Sequence, residues 1–126
     1  GLRVTKPAGG FYFYVDFNNL KDEMKECGIG SSNQLGKALL SHPRHIAAVT
    51  GDSLLLPPDN FGVRIAYVDY DGKRAFDAFS KNPPSSREEE ISYVKKYAPL
   101  MVEGAEAVSD FVKAIKSGSF VLGQEE

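Results

Sequence analysis

Phe61-Gly62-Val63-Arg64-Ile65-Ala66-Tyr67-Val68-Asp69-Tyr70 reads as a strand that carries one arginine. Val63, Ile65, Tyr67 and Val68 are β-branched or aromatic, the side chains that suit a pleated surface. Faces alternate along a strand, so Val63, Ile65 and Tyr67 share one side and Arg64, Ala66 and Val68 the other. A guanidinium among apolar neighbours is costly without an anion. That anion is either a protein carboxylate or a ligand carboxylate, since the planar fork matches both. On an edge strand the side chain reaches water instead.

Upstream, Phe11 to Phe17 alternates just as clearly. Phe11, Phe13, Val15 and Phe17 form an aromatic core face; Tyr12, Tyr14 and Asp16 form the other. Gly9 and Gly10 stand before it, where glycine permits a bulge or a close backbone approach. Asn18 to Glu26 is polar and suits a short surface helix. Ser31 and Gln34 have the spacing of a capping box. They open a helix with Leu35, Leu39 and Leu40 as its apolar stripe, and Pro43 ends it. Arg44 to Thr50 is a second strand candidate. About ten residues without helix signal join it to the strand at Gly62–Tyr70, so the two should pair antiparallel.

Downstream, Asp71 caps a helix running to about Lys81, with Ala75, Phe76, Ala78 and Phe79 on its apolar side. Asn82-Pro83-Pro84 stops it. Ser85 or Ser86 starts another helix, with Glu88 or Glu89 in the capping-box position. Pro99 suits the first turn of a last helix. There Met101, Ala105, Val108, Phe111, Val112 and Ile115 recur at helical spacing. Gly118 stops that helix, and 119–126 is expected to fray. The order strand, helix, strand, strand, then three helices predicts an α+β fold. It would be a small, mostly antiparallel sheet covered by helices on one face.

A chain of 126 residues suits one domain, 1–126, with enough length for its own core. A net charge of −2 gives no footprint for nucleic acid. No apolar run approaches membrane-spanning length. The single cysteine, Cys27, excludes an internal disulfide and fits a reducing, cytoplasmic setting. The start at Gly1 without methionine suggests a processed chain or a fragment.

Chemical motifs are sparse. His42 and His45 are three apart, but Pro43 keeps them off a common helix face and no further ligands cluster nearby, so no metal site is expected. Cys27 has no base beside it and reads as a plain thiol. Ser92 and Lys95 match a Ser-x-x-Lys spacing without its companion motifs. Asp69-Tyr70-Asp71-Gly72 has its glycine too early for a calcium loop and lacks the closing glutamate. Lys95 and Lys96 read as a solvated face. No catalytic residue emerges, which favours a ligand-binding or interaction domain over a complete enzyme.

Three stretches, taken in order, carry a resemblance. They are Lys6-Pro7-Ala8-Gly9-Gly10-Phe11-Tyr12-Phe13-Tyr14-Val15-Asp16-Phe17; Ser31-Ser32 and its leucine-bearing helix, followed by Ile46-Ala47-Ala48-Val49-Thr50-Gly51-Asp52-Ser53; and Val63-Arg64-Ile65-Ala66-Tyr67-Val68. Over about residues 6 to 115 the chain resembles the small C-terminal domain of class I/II aminotransferases, fold-type I enzymes that use pyridoxal phosphate. It departs from the pattern at Thr50, where the family has proline, and at Asp52-Ser53-Leu54 and the loop to Pro58. Residues 82 to 99 look like an added helix.

The resemblance implies a role for Arg64: binding the α-carboxylate of an amino-acid or 2-oxo-acid substrate. It implies that Gly9 and Gly10 bring backbone close to the active site. Pyridoxal 5'-phosphate would be held by a large domain of the same polypeptide. That domain would supply the Schiff-base lysine, and Lys6 lacks the required context. The full-length enzyme would be a homodimer, and this segment alone would be inactive. Other fold-type I activities share the domain. A free-standing module for a carboxylate ligand or a protein partner is the alternative.

Overall fold

The computed structural model describes residues 1–123. Four strands form one antiparallel sheet: β1 (Arg3–Val4), β2 (Tyr12–Asp16), β3 (Val49–Thr50) and β4 (Gly62–Ala66), in the order β1-β2-β4-β3. Five helices accompany it: α1 (Lys21–Glu26), α2 (Ser32–Ser41), α3 (Gly72–Lys81), α4 (Arg87–Tyr97) and α5 (Pro99–Ser117). This is the α+β architecture that the alternating segments predict. The expected antiparallel pairing around the 51–61 loop is present as β3 against β4.

One face of the sheet makes the core. Val15, Phe17, Phe61 and Val63 pack with Leu20 and Met24, with Leu35, Ala38 and Leu39 of α2, and with Phe111 and Ile115 of α5. Phe13 and Ile65 continue this face half-buried. The segment Asn18–Glu26 is helical as expected, a 3-10 turn running into α1, but it is no mere surface element, because Leu20 and Met24 are buried. In α2, Ala38 is buried, whereas Leu40 turns outward. In α5 the buried row is Ala107, Phe111 and Ile115, and Ala105 is exposed.

Both strands flanking the core are shorter than their patterns. β4 stops at Ala66 rather than Tyr70. Its partner β2 begins only at Tyr12, so after the Tyr67 N–H reaches the Phe11 carbonyl the register runs out. The Tyr70 N–H then donates to the Val68 carbonyl and turns the chain toward α3. The segment expected as a strand over Arg44–Thr50 pairs only at Val49–Thr50. Before that, the His45 and Ile46 N–H groups bond to the carbonyls of His42 and Leu39, and His45 has a φ of 47°. These bonds hold the chain in a turn over the end of α2. Arg44 is tied to α5, donating to the Glu103 carbonyl at 3.1 Å beside Glu106 and Asp110.

The helix starts follow the capping chemistry. Ser31 accepts from the Gln34 N–H, Asp71 from Arg74 and Ser86 from Glu89. The returning halves of the two boxes reach one residue further back: Gln34 accepts from Gly30 and Glu89 from Ser85. At the end of α5, Gly118 adopts a φ of 67° and its N–H returns to the last turn. Beyond it, the segment expected to fray is docked as far as Leu122. Phe120 meets Phe111 edge-on at 5.4 Å, and the Leu122 N–H donates to the Cys27 carbonyl at 2.9 Å. The last part of that segment, residues 124–126, lies outside the described residues.

Ser32 is the one buried polar side chain among the described residues, and it joins α2 to the 51–60 loop. Its hydroxyl donates to the Asp52 carboxylate at 3.2 Å and its N–H donates to the Pro58 carbonyl at 2.8 Å. Hydrogen bonds from the hydroxyls of Thr50 and then Ser32 hold the Asp52 carboxyl below its ordinary value of 3.8. A carboxylate depressed on folding stabilises the fold above its unfolded value, and that contribution fades as pH falls through the folded one. Urea midpoints of the wild type should therefore drop below about pH 4. Asp52→Asn should show a shallower drop; parallel curves for the two proteins would remove Asp52 from the acid response.

Candidate functional site

The second face of the sheet carries Tyr12, Tyr14 and Asp16 of β2 and Arg64 and Ala66 of β4, and none of these belongs to the core. Period-two alternation puts them there once Val15 and Val63 are buried. The register then sets Tyr14 and Val49 directly opposite Arg64, one on each side. Arg64 therefore lies on an inner strand, not on a sheet edge.

Its guanidinium carbon sits 4.4 Å from the centroid of the Tyr12 ring. That stacking satisfies a face of the cation but none of its N–H groups. Arg64 makes no ion pair among the described residues. Its Nε is buried without a hydrogen-bond partner. A buried N–H left without an acceptor is a standing cost to the fold. Of the three partners open from the sequence, a protein carboxylate is not what the described residues offer.

Tyr14, opposite the arginine, leads into a polar network. The Tyr14 hydroxyl donates to Asn60 Oδ1 at 2.8 Å. The Asn18 amide donates to Asp16 Oδ1 at 2.6 Å, and Asn18 Oδ1 accepts the Phe61 N–H at 3.0 Å. Burial, and then the nearby Asp16 charge, push the Tyr14 hydroxyl up from its ordinary value, so it remains a neutral donor. Gly62 makes room for that ring, since a Cβ there would collide with the Tyr14 hydroxyl.

Gly9 and Gly10 form the loop that enters β2, two residues before Tyr12. Tyr67 holds this loop by donating to the Gly10 carbonyl at 2.8 Å. Only Gly10 requires glycine conformationally, with a φ of 83°. A Cβ on either would meet nothing within 4 Å, so the close approach expected of this backbone is not made among the described residues.

The other motif residues serve locally. His42 Nδ1 accepts the Arg44 N–H, and His45 Nδ1 lies 3.0 Å from the Leu40 carbonyl. Asp71 caps α3. Ser92 and Lys95 lie exposed on α4. Cys27 is buried, its thiol pushed up by burial and then by Glu26, which makes it a poor nucleophile. Tyr12 and Tyr14 beside the arginine, and Asn60 beyond Tyr14, are residues that sequence reasoning left without a role. Alternation placed Tyr12 on the polar face, but pairing with Ala66, which brings its ring over Arg64, is a matter of register. Nothing in the pattern around Asn60 marked it.

Among the described residues, no helix is long and apolar enough to cross a membrane. No protein-family model, curated protein or solved structure matches the chain.

Proposed function

We propose that the open face of the sheet binds a carboxylate at Arg64, and that the chain serves as the small domain of a fold-type I, pyridoxal-phosphate-dependent aminotransferase. In this reading Arg64 takes the α-carboxylate of an amino-acid or 2-oxo-acid substrate. The observation that carries it is the buried, unpartnered Nε of Arg64 behind a guanidinium braced on Tyr12. Once a shift of the side chain uncovers Nε, a carboxylate bound across Nε and one Nη would make the paired hydrogen bonds that are unmade among the described residues.

The residues of this face do not fit the cofactor itself. They are two tyrosines, an aspartate, two arginines (Arg3 opposite Asp16, and Arg64), an alanine, a glycine and a valine, with no lysine to form a Schiff base. The cofactor, which supplies the electron sink when bound, belongs in this reading to a large domain of the same polypeptide. The role left to this chain is to bind and orient substrate, with Gly9 and Gly10 presenting open backbone to the neighbouring domain. A reducing, cytoplasmic setting and a full-length homodimer accompany the reading, the former in keeping with the free thiol of Cys27. A free-standing interaction module is the second reading, favoured by the exposed Phe76 and Phe79 of α3.

Two measurements test the two halves separately. In the first, the Arg64 Nε–H resonance of the chain is followed while pyruvate is added. A saturable shift that Arg64→Lys abolishes is expected; no shift would end the carboxylate assignment. In the second, the longest natural form of the polypeptide is reduced with borohydride in the presence of pyridoxal phosphate. A phosphopyridoxyl adduct on one lysine outside this segment is expected; its absence would leave a carboxylate-binding module and end the aminotransferase assignment.

A further inference from the structure

Helices α3 and α4 are lightly packed. α4 buries no side chain, and α3 buries only Ala75. They touch through Tyr93, whose hydroxyl donates to the Ala75 carbonyl at 2.6 Å and whose ring meets Phe79 edge-on at 6.0 Å, and through Arg74, whose guanidinium lies 5.6 Å from the Tyr97 ring centroid; α4 also lies against α5. Isolated helices of 10 and 11 residues are marginal in water, and packing of an apolar face is what holds such helices. Yet Phe76, Phe79, Ile91 and Val94 remain 71%, 48%, 44% and 42% exposed. A groove of about 560 Å³ runs beside them, floored by Phe79, Pro84, Ile91 and Val94.

The charges around this groove describe its occupant. α4 has Glu88, Glu89 and Glu90 in its first turn and Lys95 and Lys96 in its last. Glu89 is engaged by Ser85 and Glu90 by Arg87. Glu88 and Lys95 have no hydrogen-bond or ion-pair partner among the described residues. They are seven residues apart, two helical turns, so they lie along the same edge of the Ile91–Val94 face. A second α4 laid antiparallel across the first meets it edge to like edge. With a two-fold axis between Ser92 and Tyr93, Ile91 falls opposite Val94 of the other copy. Glu88 then falls within side-chain reach of the other copy's Lys95, and the symmetry makes this pair twice.

We propose that the α3–α4 face is a homodimer surface, two copies of the chain packing α4 against α4 antiparallel about that axis. The interface closes the exposed Ile91 and Val94 over each other, with Phe79 at the margin and reciprocal Glu88–Lys95 pairs on the rim. It is independent of the carboxylate reading, since the contacts described around Arg64 involve no residue of α3 or α4.

Sedimentation equilibrium of the chain at low salt tests it. The expected result is a mass rising with concentration from monomer toward dimer. Ile91→Glu should hold the protein monomeric. Glu88→Lys should weaken association by at least about tenfold, because both rim pairs become repulsions. Glu88→Lys combined with Lys95→Glu should restore it. Since Glu88, Ile91 and Lys95 are exposed, these variants should keep the wild-type circular dichroism spectrum. A mass independent of concentration would overturn the proposal and leave the face to a different protein. Dimerisation indifferent to Ile91→Glu, or to the charge reversals and their combination, would overturn it as well.

Discussion

Arg64→Lys should cost carboxylate binding roughly ten- to a hundredfold while leaving the fold as stable as before. The first part follows from the fork. Lysine keeps the charge but offers no planar pair of N–H donors, and losing a charge-assisted hydrogen bond costs about 1.5–3 kcal/mol. The second follows from what Arg64 lacks. It has no ion pair to break, and its buried Nε is unsatisfied. Its one described attachment is the Tyr12 ring, and exposed cation–π contacts contribute about 0.5–1 kcal/mol. A residue held for structure shows the opposite pattern, with stability lost and binding affected only through unfolding. Isothermal titration with pyruvate, alongside urea unfolding of both proteins, separates the cases. In a full-length enzyme the same change should raise KM. Unchanged affinity, or a loss of stability above about 1 kcal/mol, would remove Arg64 from the binding site.

Phe111→Ala should destabilise the chain by about 3–5 kcal/mol. Phe111 is fully buried, lies edge-on to Phe17 at 6.3 Å and to Phe120 at 5.4 Å, and thereby holds α5 to both the sheet and the end of the chain. Domains of this size have about 5–15 kcal/mol in total, so the variant should sit near its folding threshold at 37 °C. Phe79→Ala makes the comparison. It deletes the same ring, but from a position 48% exposed and outside the core cluster. Urea unfolding should show a loss of about 1 kcal/mol or less for Phe79→Ala, in the range of a single aromatic pair. Equal losses at the two positions would mean that α3 and α5 belong to one cooperative core.

The sheet was legible because burial of one face imposes alternation. Val15 and Phe17, and Val63 and Ile65, state which side of β2 and β4 faces inward without reference to anything distant. Helix starts were legible because capping is local chemistry, as at Ser31, Asp71 and Ser86. Strand ends were not, because they depend on where the partner ends. Val68 has the chemistry of a strand residue and no neighbour to pair with. β1 was missed for the same reason: two residues, Arg3 and Val4, carry no period and pair only because β2 offers an edge.

Helical periodicity showed that Phe76 and Phe79 share an apolar side, yet it is silent on what covers that side. At the site, Arg64 announced itself as a charge in an apolar run. Its setting required register: Tyr12 lies 52 positions earlier in the chain, and only the pairing of Tyr12 with Ala66 and Tyr14 with Arg64 brings its ring across the guanidinium. Asn60 lies in a loop, where side-chain direction follows no repeat.

The anchoring of the two ends has a consequence for chain connectivity. The Gly1 carbonyl accepts the Asn19 side chain at 2.7 Å, and the Leu122 N–H donates to the Cys27 carbonyl at 2.9 Å. Asn19 and Cys27 stand at opposite ends of the segment containing α1, about 12 Å apart by helical rise. About four residues would bridge that distance, as many as follow Leu122 in the sequence. As an isolated segment, residues 1–126 could thus be closed into a ring and cut open elsewhere, at Leu55 for instance, which is 95% exposed in its loop. Circular permutation would keep β2 beside β4, so the order in which this sheet is encoded is separable from the surface it builds.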